Sequence, residues 1–201
     1  MTNQPQFYFD FGSPATYLAW KRLPDLEART GVTFELVPML LGGVFKATGN
    51  ASPVTVPAKG AWMGRDLARW AERHGTPFRF NPHFPINTLR LMRGAIAAEA
   101  RGELTTYADA VFDAIWQDQR NVGDPAEVAA VLTAAGLDAA AYAAAGEDDA
   151  VKARLVANTQ AAVAAGIFGA PSFLVAGELY FGQDRMDFVE AAILSAQGAA
   201  A

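Results

Sequence analysis

The aromatic run Phe7-Tyr8-Phe9-Asp10-Phe11 gives way at once to Gly12-Ser13-Pro14. That pattern predicts a buried strand over 7–11 entering a helix. Ser13 is placed to be the N-cap, and Pro14 to be the first helical residue, where a missing N–H costs nothing. The helix runs to about Arg29 with Gly31 as its stop, and β-rich residues around Val32, Phe34 and Leu36 predict a second strand over Thr33 to Leu36. From Leu41 to about Pro57 the chain is rich in Gly, Ser, Thr, Pro and Asn, which predicts a long loop of the kind that binds ligands. Helical spacing returns over Lys59–Arg73, Asn87–Ala100, Leu104–Gln117 and Pro125–Ala135, with Gly or Pro between the segments. The Ala-rich tract from Asp138 to Ala145 is explained by helix propensity. A helix over Asp149–Ala165, with Asp148 and Asp149 placed to cap it, leads through Gly166 to Pro171. Ser172–Val175 and Glu178–Phe181 then read as two strands joined at Gly177, and Asp187–Ala196 as a closing helix.

The resulting order is β-α-β, a helical block, α, then β-β-α. It predicts an α/β, thioredoxin-like fold with an inserted all-helical domain, in which 1–40 and 150–201 form the thioredoxin-like part and 41–149 the insertion. The 201 residues suffice for such a core without disulfides or metals, and much of the hydrophobic fraction of 52% is Ala, which favours helices. The uncharged stretch from Val156 to Gly177 is broken by Asn158, Thr159, Gln160, Gly166, Gly169 and Pro171, so no membrane-spanning helix is expected. The opening residues MTNQPQFYFDF lack a basic region followed by an apolar run, and a cytoplasmic location is expected. A net charge of -5 argues against a phosphate-tracking surface, so the expected partner is a small molecule and not nucleic acid. No metal site is expected, because His74 and His83 have no partners at ligand spacing.

The complete absence of cysteine excludes protein thiol chemistry. What the chain offers instead is a hydroxyl, Ser13, at a strand-to-helix junction. The positive end of a helix stabilises an anion by about 0.3–1 kcal/mol at exposed sites and up to about 2 in partly buried ones, and it lowers thiol pKa values. A bound thiolate would benefit, although Ser-Pro is equally a good N-cap pair with no further function. Pro171, just before a strand pair, is a candidate cis proline that would turn the backbone of Ala170 outward to pair with an extended peptide, or an ordinary strand-entry proline. Phe181-Gly182-Gln183-Asp184-Arg185 forms a turn into the last helix, whose amides and Gln183 could hold a carboxylate while Asp184 receives an ammonium. Asp184 could equally cap the helix or pair with Arg185. Ser13 lacks a G-x-S-x-G context, and there is no P-loop or dinucleotide fingerprint.

FDFGSPATY over 9–17, Pro85-Ile86-Asn87, Gly169-Ala170-Pro171-Ser172-Phe173 and Phe181-Gly182-Gln183-Asp184-Arg185, in that order along nearly the whole chain, resemble the glutathione-dependent isomerases of the 2-hydroxychromene-2-carboxylate type. They also resemble the kappa-class glutathione transferases. Both families are DsbA-like members of the thioredoxin superfamily. Where redox relatives carry C-x-x-C, this chain has Ser13-Pro14-Ala15-Thr16, so the redox function is lost.

The resemblance implies glutathione as cofactor, with Ser13 as the catalytic residue bonded to its sulfur. Ala170 and Pro171 would form the backbone partner of its cysteinyl residue, and Phe181, Gly182, Gln183 and Asp184 would hold its γ-glutamyl end. It implies Asn87, Lys59, Trp62 and Arg65 near an aromatic substrate, and a homodimer active in aromatic catabolism. The implied reaction interconverts 2-hydroxychromene-2-carboxylate and trans-o-hydroxybenzylidenepyruvate. A kappa-like transferase or a non-catalytic glutathione or peptide sensor would need the same residues. Ala170 and Phe181 stand where the family often has Val and Trp.

Overall fold

The computed structural model describes residues 4–200. The strands are β1 (Gln6–Phe9), β2 (Glu35–Pro38), β3 (Ser172–Val175) and β4 (Glu178–Phe181). The helices are α1 (Pro14–Thr30), α2 (Leu41–Thr48), α3 (Pro57–His74), α4 (Leu89–Arg101), α5 (Leu104–Trp116), α6 (Pro125–Ala134), α7 (Ala139–Ala145), α8 (Asp149–Ala164) and α9 (Met186–Ala200). Short 3-10 turns occupy Pro53–Thr55 and Gln183–Arg185. The sheet order is β2-β1-β3-β4, with β1 and β2 parallel and the other pairs antiparallel. This is a thioredoxin-like fold with a run of helices between β2 and α8.

β1 is central and buried on both faces, because alternate side chains of a strand leave opposite sides of the sheet. Phe7 and Phe9 point into a large aromatic core, where Phe7 lies 5.0 Å from Phe173 and Phe9 lies 6.2 Å from Phe112, centroid to centroid. Tyr8 faces the other way, into a smaller cluster with Val37, Met39, Val44 and Ala162. Four helix caps follow from local sequence: Ser13, Asp124, Asp138 and Asp148 each accept a backbone N–H of the first helical turn. Asp148 is the cap of α8, and Asp149 is its first helical residue.

The structure departs from the sequence-based expectation in three places. The first strand ends at Phe9 instead of Phe11, because the Asp10 carboxylate turns back to accept the Gly12 N–H at 2.8 Å. The second lies at Glu35–Pro38, two residues later than expected at both ends, in register with β1 through Phe7 and Leu36. The expected binding loop from Leu41 is in part a helix, α2, closed by Gly49 in the left-handed region at φ 73°. Gly43, a loop signal in the sequence, is there for close approach: a Cβ on it would lie 3.0 Å from Thr159 Cγ2 of α8.

Candidate active site

Ser13 sits at the start of α1 and is 6% exposed. Its Oγ accepts the Thr16 N–H at 3.1 Å and donates to the Ala170 carbonyl at 3.0 Å, across 157 residues of sequence. The peptide bond that follows, Ala170-Pro171, is cis. Pro171 O accepts the Gly182 N–H at 3.0 Å, so the turn after β4 is tied to the same proline. Ser13, Ala170, Pro171 and Gly182 therefore form one hydrogen-bonded group built from the first helix and the last hairpin.

Phe181 walls this group. Its ring lies over Gly169, where a Cβ would meet the ring at 2.6 Å, and stands 4.7 Å from the ring of Phe168. Asn50, just after α2, donates to Phe168 O at 2.8 Å and fastens the expected binding segment beside the same wall. Among the described residues the Ala170 N–H has no acceptor, while its carbonyl is already occupied by Ser13.

Gln183 is buried and its carbonyl accepts from Arg22 at 2.8 Å, but its side-chain Oε1 is buried with no partner. Asp184 is paired with Arg185 at 2.5 Å on the surface. Gly182 adopts φ 105°, a conformation that a side chain at 182 would strain, and a Cβ there would also require the Asp184 carboxylate to move aside.

Among the described residues, the other expected residues make no hydrogen bond to this group. Asn87 is exposed and accepts the Leu89 N–H at 3.1 Å at the entry to α4. Lys59, Trp62 and Arg65 share α3 and are exposed, and no hydrogen bond or ion pair among the described residues joins them to Ser13 or Ala170. A cavity of about 250 Å³ lies within the helical block, bordered by Asn87, Arg90, Tyr107, Leu132 and Tyr142, and does not reach Ser13.

Sequence reasoning missed Asp10, although a carboxylate inside an aromatic strand run is a signal. Asp10 is 1% exposed, and burial pushes its pKa up against the pull of the Gly12 N–H, the Leu41 N–H and the Thr88 hydroxyl. Among the described residues no cluster of His, Asp and Glu could hold a metal, and no helix is long and apolar enough to cross a membrane.

The family model for the DSBA-like thioredoxin domain matches residues 6–194. The chain is 34% identical to the 2-hydroxychromene-2-carboxylate isomerase of Sphingobium xenophagum, covering 96% of this chain and 100% of that one. It is 27% identical to human glutathione S-transferase kappa 1, covering 92% and 88%. Among solved structures, that of a 2-hydroxychromene-2-carboxylate isomerase superimposes with a TM-score of 0.85 at 31% identity over 97% of both chains. With its Ser-Pro helix start in place of a thiol pair and its cis-proline hairpin, the chain belongs to the DSBA-like thioredoxin family, within the group of the 2-hydroxychromene-2-carboxylate isomerases.

Proposed function

We propose that this protein is a glutathione-dependent isomerase that interconverts 2-hydroxychromene-2-carboxylate and trans-o-hydroxybenzylidenepyruvate. The juxtaposition of the Ser13 hydroxyl with the Ala170-Pro171 turn carries this reading. The residues fit glutathione in two respects: the Ala170 N–H is free to pair with a peptide carbonyl, and the buried Gln183 Oε1 awaits a donor.

Glutathione, when bound, would supply a thiolate for reversible addition to the conjugated substrate, making one double bond a rotatable single bond until elimination of the same thiolate restores it. Ser13 performs the central task. The Thr16 N–H occupies one lone pair of its oxygen, which leaves the proton free to swing from Ala170 O toward a sulfur anion. The amides at the start of α1 add their positive end. A free thiol has a pKa of about 8.5, and lowering it by about one to two units multiplies the thiolate fraction at neutral pH several-fold to tens-fold. Phe181 and Gly182 shape the wall and turn of the γ-glutamyl site, where the turn amides and Gln183 hold its carboxylate and Asp184 exchanges Arg185 for its ammonium. Asn87 orients the substrate ring system, Trp62 supplies an aromatic face, and the exposed cations Lys59 and Arg65 attract its carboxylate.

A cytoplasmic homodimer completes the proposal, since reduced glutathione is poised there to act as a thiol; sedimentation checks the dimer. Mixing the protein with the chromene carboxylate should give an absorbance change that requires catalytic glutathione, with all thiol recovered at the end. A stable glutathione conjugate in the mass spectrum would assign the chain to a kappa-like transferase activity instead, and no glutathione dependence would overturn the reading.

A further inference from the structure

Asp10 has no role in that chemistry, yet its surroundings are specific. Its Oδ1 accepts the Gly12 N–H at 2.8 Å and the Thr88 hydroxyl at 2.8 Å, and its Oδ2 accepts the Leu41 N–H at 2.8 Å. All of these partners are donors, so the arrangement is satisfied by the ionised carboxylate, which accepts at both oxygens and donates nothing. Burial alone would favour the neutral acid, and the donors oppose it.

The donors come from the starts of three different helices. Gly12 lies in the turn that enters α1, Leu41 is the first residue of α2, and Thr88 is the N-cap residue of α4. The Asp10 backbone carbonyl also accepts the Ser13 N–H at 3.1 Å. Gly12 permits the close approach, since a Cβ there would stand 3.3 Å from both Asp10 Oδ1 and Thr88 Cγ2. One buried anion thus holds the Ser13 turn directly against Thr88, the neighbour of Asn87.

We propose that Asp10 is a positioning residue for the reaction: through Thr88 its carboxylate fixes the Ser13 turn relative to the entry of α4, and so sets where the substrate lies with respect to the sulfur held at Ser13. This rests on the assignment of Ser13 and Asn87 above. The glutathione side, built from Ser13, Ala170 and the turn after β4, makes no bond to Thr88 among the described residues, so glutathione affinity should not feel the loss of the Thr88 hydroxyl.

The test is Thr88→Val, which keeps the shape and removes the hydroxyl, beside Thr88→Ser, which restores it, with Asp10→Asn as the direct variant. In Thr88→Val, kcat/KM for the chromene carboxylate should fall roughly ten-fold or more at saturating glutathione, with glutathione Kd by calorimetry unchanged within two-fold. Thr88→Ser should return kcat/KM to near the wild-type value. Asp10→Asn should lose at least as much as Thr88→Val, because the amide faces N–H groups with a donor of its own.

If Thr88→Val folds and keeps wild-type kcat/KM, the Asp10 network is structural only and the proposal fails; this holds even where Asp10→Asn does not fold. Equal losses in Thr88→Val and Thr88→Ser would overturn it as well, since the hydroxyl would then not matter. A wild-type protein that neither binds glutathione nor turns over would instead remove the glutathione reading, and the Asp10 assignment with it.

Discussion

A single hydroxyl at Ser13 serves two partners, accepting from Thr16 and donating to Ala170, so its removal affects both the helix cap and the turn across from it. Ser13→Ala should lower turnover about ten- to a hundred-and-fifty-fold, the equivalent of one hydrogen bond to an anion at about 1.5–3 kcal/mol. The apparent thiolate pKa, followed by ultraviolet absorbance, should rise in that variant. Ser13→Gly separates the two roles, because Gly retains most of the capping at a cost of only a few tenths of a kcal/mol; wild-type turnover and thiolate pKa there would reduce Ser13 to a cap. Asp184→Asn addresses the other end. Its exposed pair with Arg185 contributes about 0–1 kcal/mol, so the thermal midpoint should barely move, while glutathione Kd should weaken about ten-fold or more. A Kd within two-fold of wild type would leave Asp184 only its bond to Arg185. The N-cap role of Ser13 was readable from Ser-Pro after a strand, whereas its bond to Ala170 was not, since nothing local encodes a contact over 157 residues.

Among the elements, α4 shows how packing overrides propensity. Gly94 is buried in the middle of that helix, where Ala would ordinarily be better by about 1 kcal/mol. A Cβ at 94, however, would stand 2.0 Å from the hydroxyl of Tyr107, which is 1% exposed and donates to Leu91 O at 3.1 Å. Gly94→Ala should therefore destabilise the fold by about 1–3 kcal/mol despite its better propensity, read as a lower denaturant midpoint with an unchanged slope. A midpoint equal to or above wild type would mean that the Tyr107 ring can move aside. The same physics explains α2. Gly42 and Gly43 look like loop residues along the sequence, and only the contact with Thr159 on α8 shows that Gly43 makes room for helix packing. Val44, buried against Tyr8 and Met39, draws that helix onto the sheet.

At the scale of the molecule, the aromatic core runs without a break from the sheet into the helical block: Phe9, Trp20 and Tyr17 all pack on Phe112 of α5, and Trp116 Nε1 donates to Phe11 O at 2.8 Å. We propose that the division of 1–40 with 150–201 around 41–149 is one of chain topology and not of separate folding. Unfolding in denaturant should then be a single transition, coincident by tryptophan fluorescence and far-ultraviolet circular dichroism; two resolved transitions would show independent units. The sequence by itself determined the order of the strands and of the helices other than α2, the helix ends marked by Ser, Asp, Gly and Pro, and the exclusion of protein thiol chemistry, because each depends on residue type or on neighbours a few positions apart. The tertiary structure alone decided that Ser13 meets Ala170 and that Asp10 joins the starts of three helices. Those contacts close loops of tens to more than a hundred residues, and their partners are selected by burial and donor–acceptor matching in space, which no local spacing records.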